Sequence, residues 1–209
     1  MRNLLLAAGA VLTLAAAAPA HAVAITDPTG DFLPSFVGAQ DADLDVTAFS
    51  VTYDPVALAF NLSATMAGAI DSGRPGLYAI GVNTGTGTIR PFAGIGAPNV
   101  IFNQVIAVQK TGAAAVGVNA LTATISGASF SLAVPLALLP STGFSPNNYG
   151  FNIWPRNGFG NNNQISDFAP NNATVAPVPE PASWALMILG FGVLGTALRR
   201  RHLWAVNPV

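Results

Sequence analysis

The chain has no cysteine, two histidines and one glutamate, and only 8% of its 209 residues are charged. Without cysteine there is no disulfide framework, no thiol nucleophile and no thiolate metal site, so an exported domain of this sequence must hold itself together by its core. Between residues 23 and 177, eight aspartates face four bases, Arg74, Arg90, Lys110 and Arg156, which leaves a net charge of −4. Too few bases are present to hold nucleic acid by displacing its counterions, so no nucleic-acid partner is expected. Acid-base chemistry is equally poorly supplied. His21 and His202 lie near the two ends, Glu180 near the last of them, and the body offers only aspartates. A Ser-His or Cys-His nucleophile is therefore excluded, zinc loses its usual ligands, and a non-enzymatic protein is expected.

What the chain has in excess is apolar sequence, 51% hydrophobic residues, concentrated at its ends. Arg2, an apolar run over residues 4–18 and the small-residue exit Ala20-His21-Ala22 have the order of a secretory signal peptide, with cleavage expected after Ala22. At the other end, residues 182–198 carry no charge and Arg199, Arg200 and Arg201 follow directly. Seventeen helical residues reach about 25 Å, slightly short of a bilayer core. Snorkelling arginines make up the difference, and the positive-inside rule leaves residues 202–209 as a cytoplasmic tail. Trp184 suits the opposite headgroup level. Both ends thus place the body outside the cytoplasm, tethered at least transiently to the inner membrane.

Membrane physics does not account for Pro179-Glu180-Pro181, a triplet that stays extended and readable ahead of the span. The order Pro179-Glu180-Pro181, two residues, Trp184-Ala185, a glycine-bearing apolar span and Arg199 to Arg201 resembles the PEP-CTERM sorting signal of Gram-negative bacteria in its PEPxxWA form. That resemblance implies export by the secretion machinery, recognition of the triplet by an inner-membrane exosortase, and delivery to the cell surface or matrix alongside exopolysaccharide. The family usually ends soon after its arginines, whereas this chain continues to Val209.

After Pro34 the body alternates short apolar runs with turn residues, the pattern of an all-β domain. Strands are expected at 45–53, 56–66, 77–82, 100–109, 114–118, 121–125, 129–135 and 149–153. In the second of them Leu58, Phe60, Leu62, Ala64 and Met66 should face a core while Ala59, Asn61, Ser63 and Thr65 face water. No helical period is sustained, so residues 23–168 are expected to form an antiparallel, jelly-roll-like β-sandwich. The Pro, Asn and Ala of 169–177 suggest an extended linker to the sorting signal at 178–201. Asp27 to Asp31, then Asp43 to Val46 and Tyr53-Asp54, resemble the start of carbohydrate-binding sandwiches of the DOMON and family-9 kind. Such modules stack exposed aromatics on sugar rings, and the candidates here are Tyr78, Tyr149 and Trp154.

Aspartates can also hold calcium, a hard ion that takes several oxygens. Asp27 and Asp31 flank a turn at Gly30, and Asp41, Asp43 and Asp45 alternate, so that in an extended segment all three would share one face. A solvated acidic loop is the competing reading. Asn161, Asn162, Asn163 and Gln164 either offer amides to sugar hydroxyls or fill turns, and 81–87 lacks the lysine and helix of a phosphate cradle.

Overall fold

In the computed structural model the described residues are 25–179, together with Phe191. The signal peptide, Glu180, Pro181, Trp184, Ala185, the three arginines and the tail lie outside them. Among the described residues no helix is long and apolar enough to cross a membrane.

Strict alternation in β3 (Ala59–Met66) and β9 (Ser129–Pro135) buries Phe60, Leu62, Ala64 and Met66 on one strand and Phe130, Leu132 and Val134 on the other. Their polar neighbours face solvent, as a half-wet sheet requires. These two strands pair antiparallel in the middle of one sheet, with β2 (Val46–Asp54) beyond β3 and β8 (Thr124–Ser126) beyond β9. The outer edge of β2 is shared. Near its start it pairs with β1 (Ile25–Thr26), antiparallel, and near its end with β11 (Val178–Pro179), parallel. The second sheet runs β10 (Gly150–Arg156), β4 (Leu77–Asn83), β5 (Gln104–Gln109), β6 (Ala113–Val116) and β7 (Asn119–Thr122), all antiparallel. Every strand expected from the sequence is present, the run 121–125 being divided between β7 and β8 where the chain crosses from one sheet to the other.

The two sheets close on a common core. Phe60 lies 5.0 Å from Tyr53, 5.3 Å from Tyr149 and 5.2 Å from Phe151, and Tyr78 stacks on Phe130 at 5.1 Å. The two fully buried phenols find acceptors: Tyr78 Oη donates to the Asp43 carbonyl and Tyr149 Oη to that of Leu139, each at 3.0 Å. A second apolar cluster lies on the outer face of the second sheet, where Leu77, Ala79 and Trp154 meet Phe92, Val100, Phe102, Ile165 and Phe168. Loop residues 84–103 and 157–168 supply that cover, so β4 is buried on both faces and reads as a continuous apolar run. Gly81 is required there, since a Cβ would stand 2.5 Å from the Trp154 ring.

Two expectations are corrected. Leu58 does not face the core: Asp54 Oδ1 accepts the amides of Val56 and Ala57, and the turn continues through Leu58, at φ 50° and exposed, before β3 begins. Residues 169–177 are not a free linker. Ala169 is buried and exchanges backbone hydrogen bonds with Ile153, Val175 does so with Phe151, and Asn152 Nδ2 donates to the carbonyls of Pro170 and Ala173. The segment satisfies the open edge of β10, which would otherwise present unpaired amides.

Candidate functional site

The charged groups that the sequence spends sparingly are gathered at one place. After β1 the chain turns through Gly30, at φ 82°, and the turn is tied down from three directions. Asp27 N–H donates to the Thr47 carbonyl (3.0 Å), Gly30 N–H to Asp45 Oδ2 (2.7 Å) and Leu33 N–H to the Ser166 carbonyl (2.8 Å). Asp167 arrives from the far end of the domain. Its Oδ2 accepts Val46 N–H at 2.9 Å and its Oδ1 accepts Phe168 N–H at 2.6 Å, while Ser166 Oγ donates to the Leu44 carbonyl at 2.7 Å. As a result carboxylate oxygens of Asp27, Asp31 and Asp167 all lie within 4.8 Å of one another, and Asp45 sits inside the same turn through its bond to Gly30.

Asp45 and Asp167 are 2% and 1% exposed. Burial pushes the Asp167 carboxyl up to about 8; hydrogen bonds from Val46 and Phe168 oppose the shift, and the charges of Asp27 and Asp31 add to it. Asp27 is pushed up to about 7, first by burial, then by Asp31 and Asp45. Asp45 is raised by burial, against the Gly30 hydrogen bond. No basic side chain among the described residues pairs with this group. Arg74 pairs with Asp41, Lys110 with Asp43 at 2.7 Å, Arg90 donates to the Pro98 carbonyl, and Arg156 to those of Gly158 and Asn161.

The sequence candidates therefore divide. Asp27, Asp31 and Asp45 come together, whereas Asp41 and Asp43 do not join them, because residues 42–44 wind into a 3₁₀ turn and the alternate positions no longer share a face. Asp167, which completes the group, was missed: it is isolated in sequence, 122 residues from Asp45, and its one signal is an acid close between the apolar Ile165 and Phe168.

The aromatic candidates are overturned. Tyr78 and Tyr149 are fully buried and Trp154 is 2% exposed, so none can stack on a sugar; they build the two cores. The asparagines fasten loops, Asn162 Nδ2 to the Pro91 carbonyl, Asn157 Nδ2 to that of Val37 and Asn171 Nδ2 to Asp31 Oδ2. The glycine-rich piece closes on Thr142 and Gly143, with Thr84, Thr86, Asn103 and Thr142 sharing hydroxyl and amide hydrogen bonds.

Of the sorting residues, Pro179 is described. It ends β11, beside Tyr53 on the sheet edge, a position that tolerates a residue without an amide hydrogen. A family model described as the PEP-CTERM protein-sorting motif matches residues 177–201, so the chain carries the signal of an exported protein handled by an exosortase. No curated protein and no solved structure matches the chain.

Proposed function

We infer that this is a non-enzymatic surface or extracellular-matrix protein of a Gram-negative bacterium. It is exported by its signal peptide, held in the inner membrane by residues 182–198 with its body in the periplasm, and passed by an exosortase to the cell surface, where it associates with exopolysaccharide. The observation that carries the reading is the sorting motif at 177–201, beginning where the sandwich ends. The body suits a passive role, since its ionisable groups are tied to backbone, to one another or into the acidic turn.

The outer face of the first sheet supports an association with neutral polysaccharide. Exposed Ser63, Ser131 and Thr124 lie in register across β3, β9 and β8, continued by the buried Ser50 on β2, with Thr65, Ser129 and Ser126 in the adjacent row. Ser50 and Ser63 hydroxyls are 3.0 Å apart, and those of Thr65 and Ser129 2.9 Å. Such a face offers hydroxyl hydrogen bonds and no charge, which fits a sugar polymer better than a polyanion. It replaces the aromatic platform that a carbohydrate-binding module of the alternative reading would need.

The test is fractionation of the full chain in a host with its exosortase. Wild type is expected in the surface and exopolysaccharide fraction, and Glu180→Ala in the inner membrane. Surface delivery of Glu180→Ala refutes the sorting reading. Unchanged polysaccharide association of a Ser63→Lys, Ser131→Lys double variant refutes the role of the hydroxyl face.

A further inference from the structure

We propose that Asp27, Asp31 and Asp167, with Asp45 beside them, form a calcium site that clasps the N-terminal turn to the strand start at Val46 and to the last loop of the sandwich. Three arrangements of the chain converge on it. The first is span: oxygens that share one calcium at 2.3–2.6 Å can stand at most about 5 Å apart, and those of Asp27, Asp31 and Asp167 fall within 4.8 Å.

The second is an unmet demand. Asp45, 2% exposed, uses Oδ2 for Gly30 N–H, and its Oδ1 has no hydrogen-bond partner although it is shielded from solvent. Asp27 Oδ2 and Asp31 Oδ1 are shielded and unpartnered in the same way. A buried carboxylate oxygen without a donor is costly unless something positive meets it. The other buried aspartate near β2, Asp43, also leaves Oδ1 without a donor, but the Lys110 ammonium stands 2.7 Å from its Oδ2 and balances its charge, whereas no base does so in the acidic turn.

The third is donor chemistry. All four side chains offer oxygen, with no nitrogen or sulfur donor in the turn, which selects a hard cation. The Asp167 oxygens each accept one backbone amide and keep a second lone pair free for a metal, while the amides hold the carboxylate in place. The ion would join segments 140 residues apart in sequence, the turn that follows β1 at Asp27 and the last loop of the sandwich at Asp167.

The experiment uses the full chain purified in detergent, stripped with chelator, then dialysed against ⁴⁵Ca²⁺ and melted with calcium or chelator present. Wild type is expected to bind about one calcium per chain and to melt about 5–10 °C higher at a hundredfold excess over Kd. Asp31→Asn and Asp167→Asn should weaken binding at least tenfold, and Asp41→Asn should bind within about twofold of wild type. Asp31 is half-buried, so its variant keeps the test open if Asp167→Asn does not fold. Wild type that binds no calcium, or an Asp41→Asn variant that loses as much affinity as Asp31→Asn, overturns the site.

Discussion

Replacing Lys110 by methionine removes one charge from the interior and leaves its partner behind. The Lys110 ammonium lies 2.7 Å from Asp43 Oδ2, and both side chains are 3% exposed. Asp43 Oδ2 also accepts Asp71 N–H at 3.0 Å, and Oδ1 has no partner, so nothing else near it neutralises the carboxylate. The lysine stem passes Gly76 so closely that a Cβ there would meet Cε at 2.8 Å, and methionine retains that apolar stem. Stranding a buried carboxylate costs about 3–5 kcal/mol, whereas replacing both partners by neutral groups of like shape costs about 1 kcal/mol or less. Lys110→Met is therefore expected to lower Tm by about 10 °C, Asp43→Asn by a similar amount, and the double variant by only a few degrees. Circular-dichroism melts and urea titrations of the four proteins give the coupling directly, expected at several kcal/mol. A Lys110→Met protein within about 1 kcal/mol of wild type, or additive single effects, would refute the view that this pair is an isolated interior charge couple.

Gly81→Ala places a methyl against the Trp154 ring and should destabilise by about 2–3 kcal/mol, read from the urea midpoint; an unchanged midpoint would mean that the ring is free to withdraw. The acidic turn makes stability depend on pH when chelator is present. Asp27 and Asp167, raised to about 7 and 8, hold protons in the fold that the unfolded chain has released above about pH 4. The native state then binds more protons than the unfolded state, so stability falls as pH rises from 5 to 8, by up to about 1.4 kcal/mol per pH unit for each proton retained. The carboxylate of Asp31 faces both groups and that of Asp45 faces Asp27, and each raises the group it faces. Melts at pH 5, 6, 7 and 8 should show a declining Tm in chelator and a flatter profile in calcium. A Tm that climbs with pH in chelator would be incompatible with the buried carboxylates.

The sandwich was legible because its strands have one wet face. In β3 and β9 each alternate residue declares its side, and period two survives any error in the ends. The second core was not legible, because β4 and Trp154 are covered by loops whose sequence shows no period. A conspicuous tryptophan in a polar, asparagine-rich neighbourhood reads as a binding platform, yet the loops on either side fold back over it. The acidic group was half legible. Asp27 and Asp31 bracket a glycine, a local signal, and Asp45 opens a strand. Asp41 and Asp43 misled because alternation carries meaning only in extended chain, and the 3₁₀ turn cancels it. Asp167 could not be found locally, since its place depends on β10 and the loop after it returning to the start of β2. Residues 169–177 misled for a related reason: their composition is that of a tether, but the unpaired edge of β10 recruits them.

The shared edge of β2 gives chemistry at either end of the chain a structural meaning. Ile25 and Thr26 cover Phe49 and Ala48, and Val178 and Pro179 cover Thr52 and Tyr53, so the two short strands act as separate caps on one row of amides and carbonyls. Each cap ends within a few residues of a stretch expected to be processed, the small-residue exit at Ala22 on one side and the sorting triplet on the other. A peptidase that trims three or four residues too far in either direction would bare part of that row, and an uncapped β-edge is a template for the strand of another molecule. Where the two ends are cut would then decide whether this edge of β2 stays covered or lies open to a strand of another molecule.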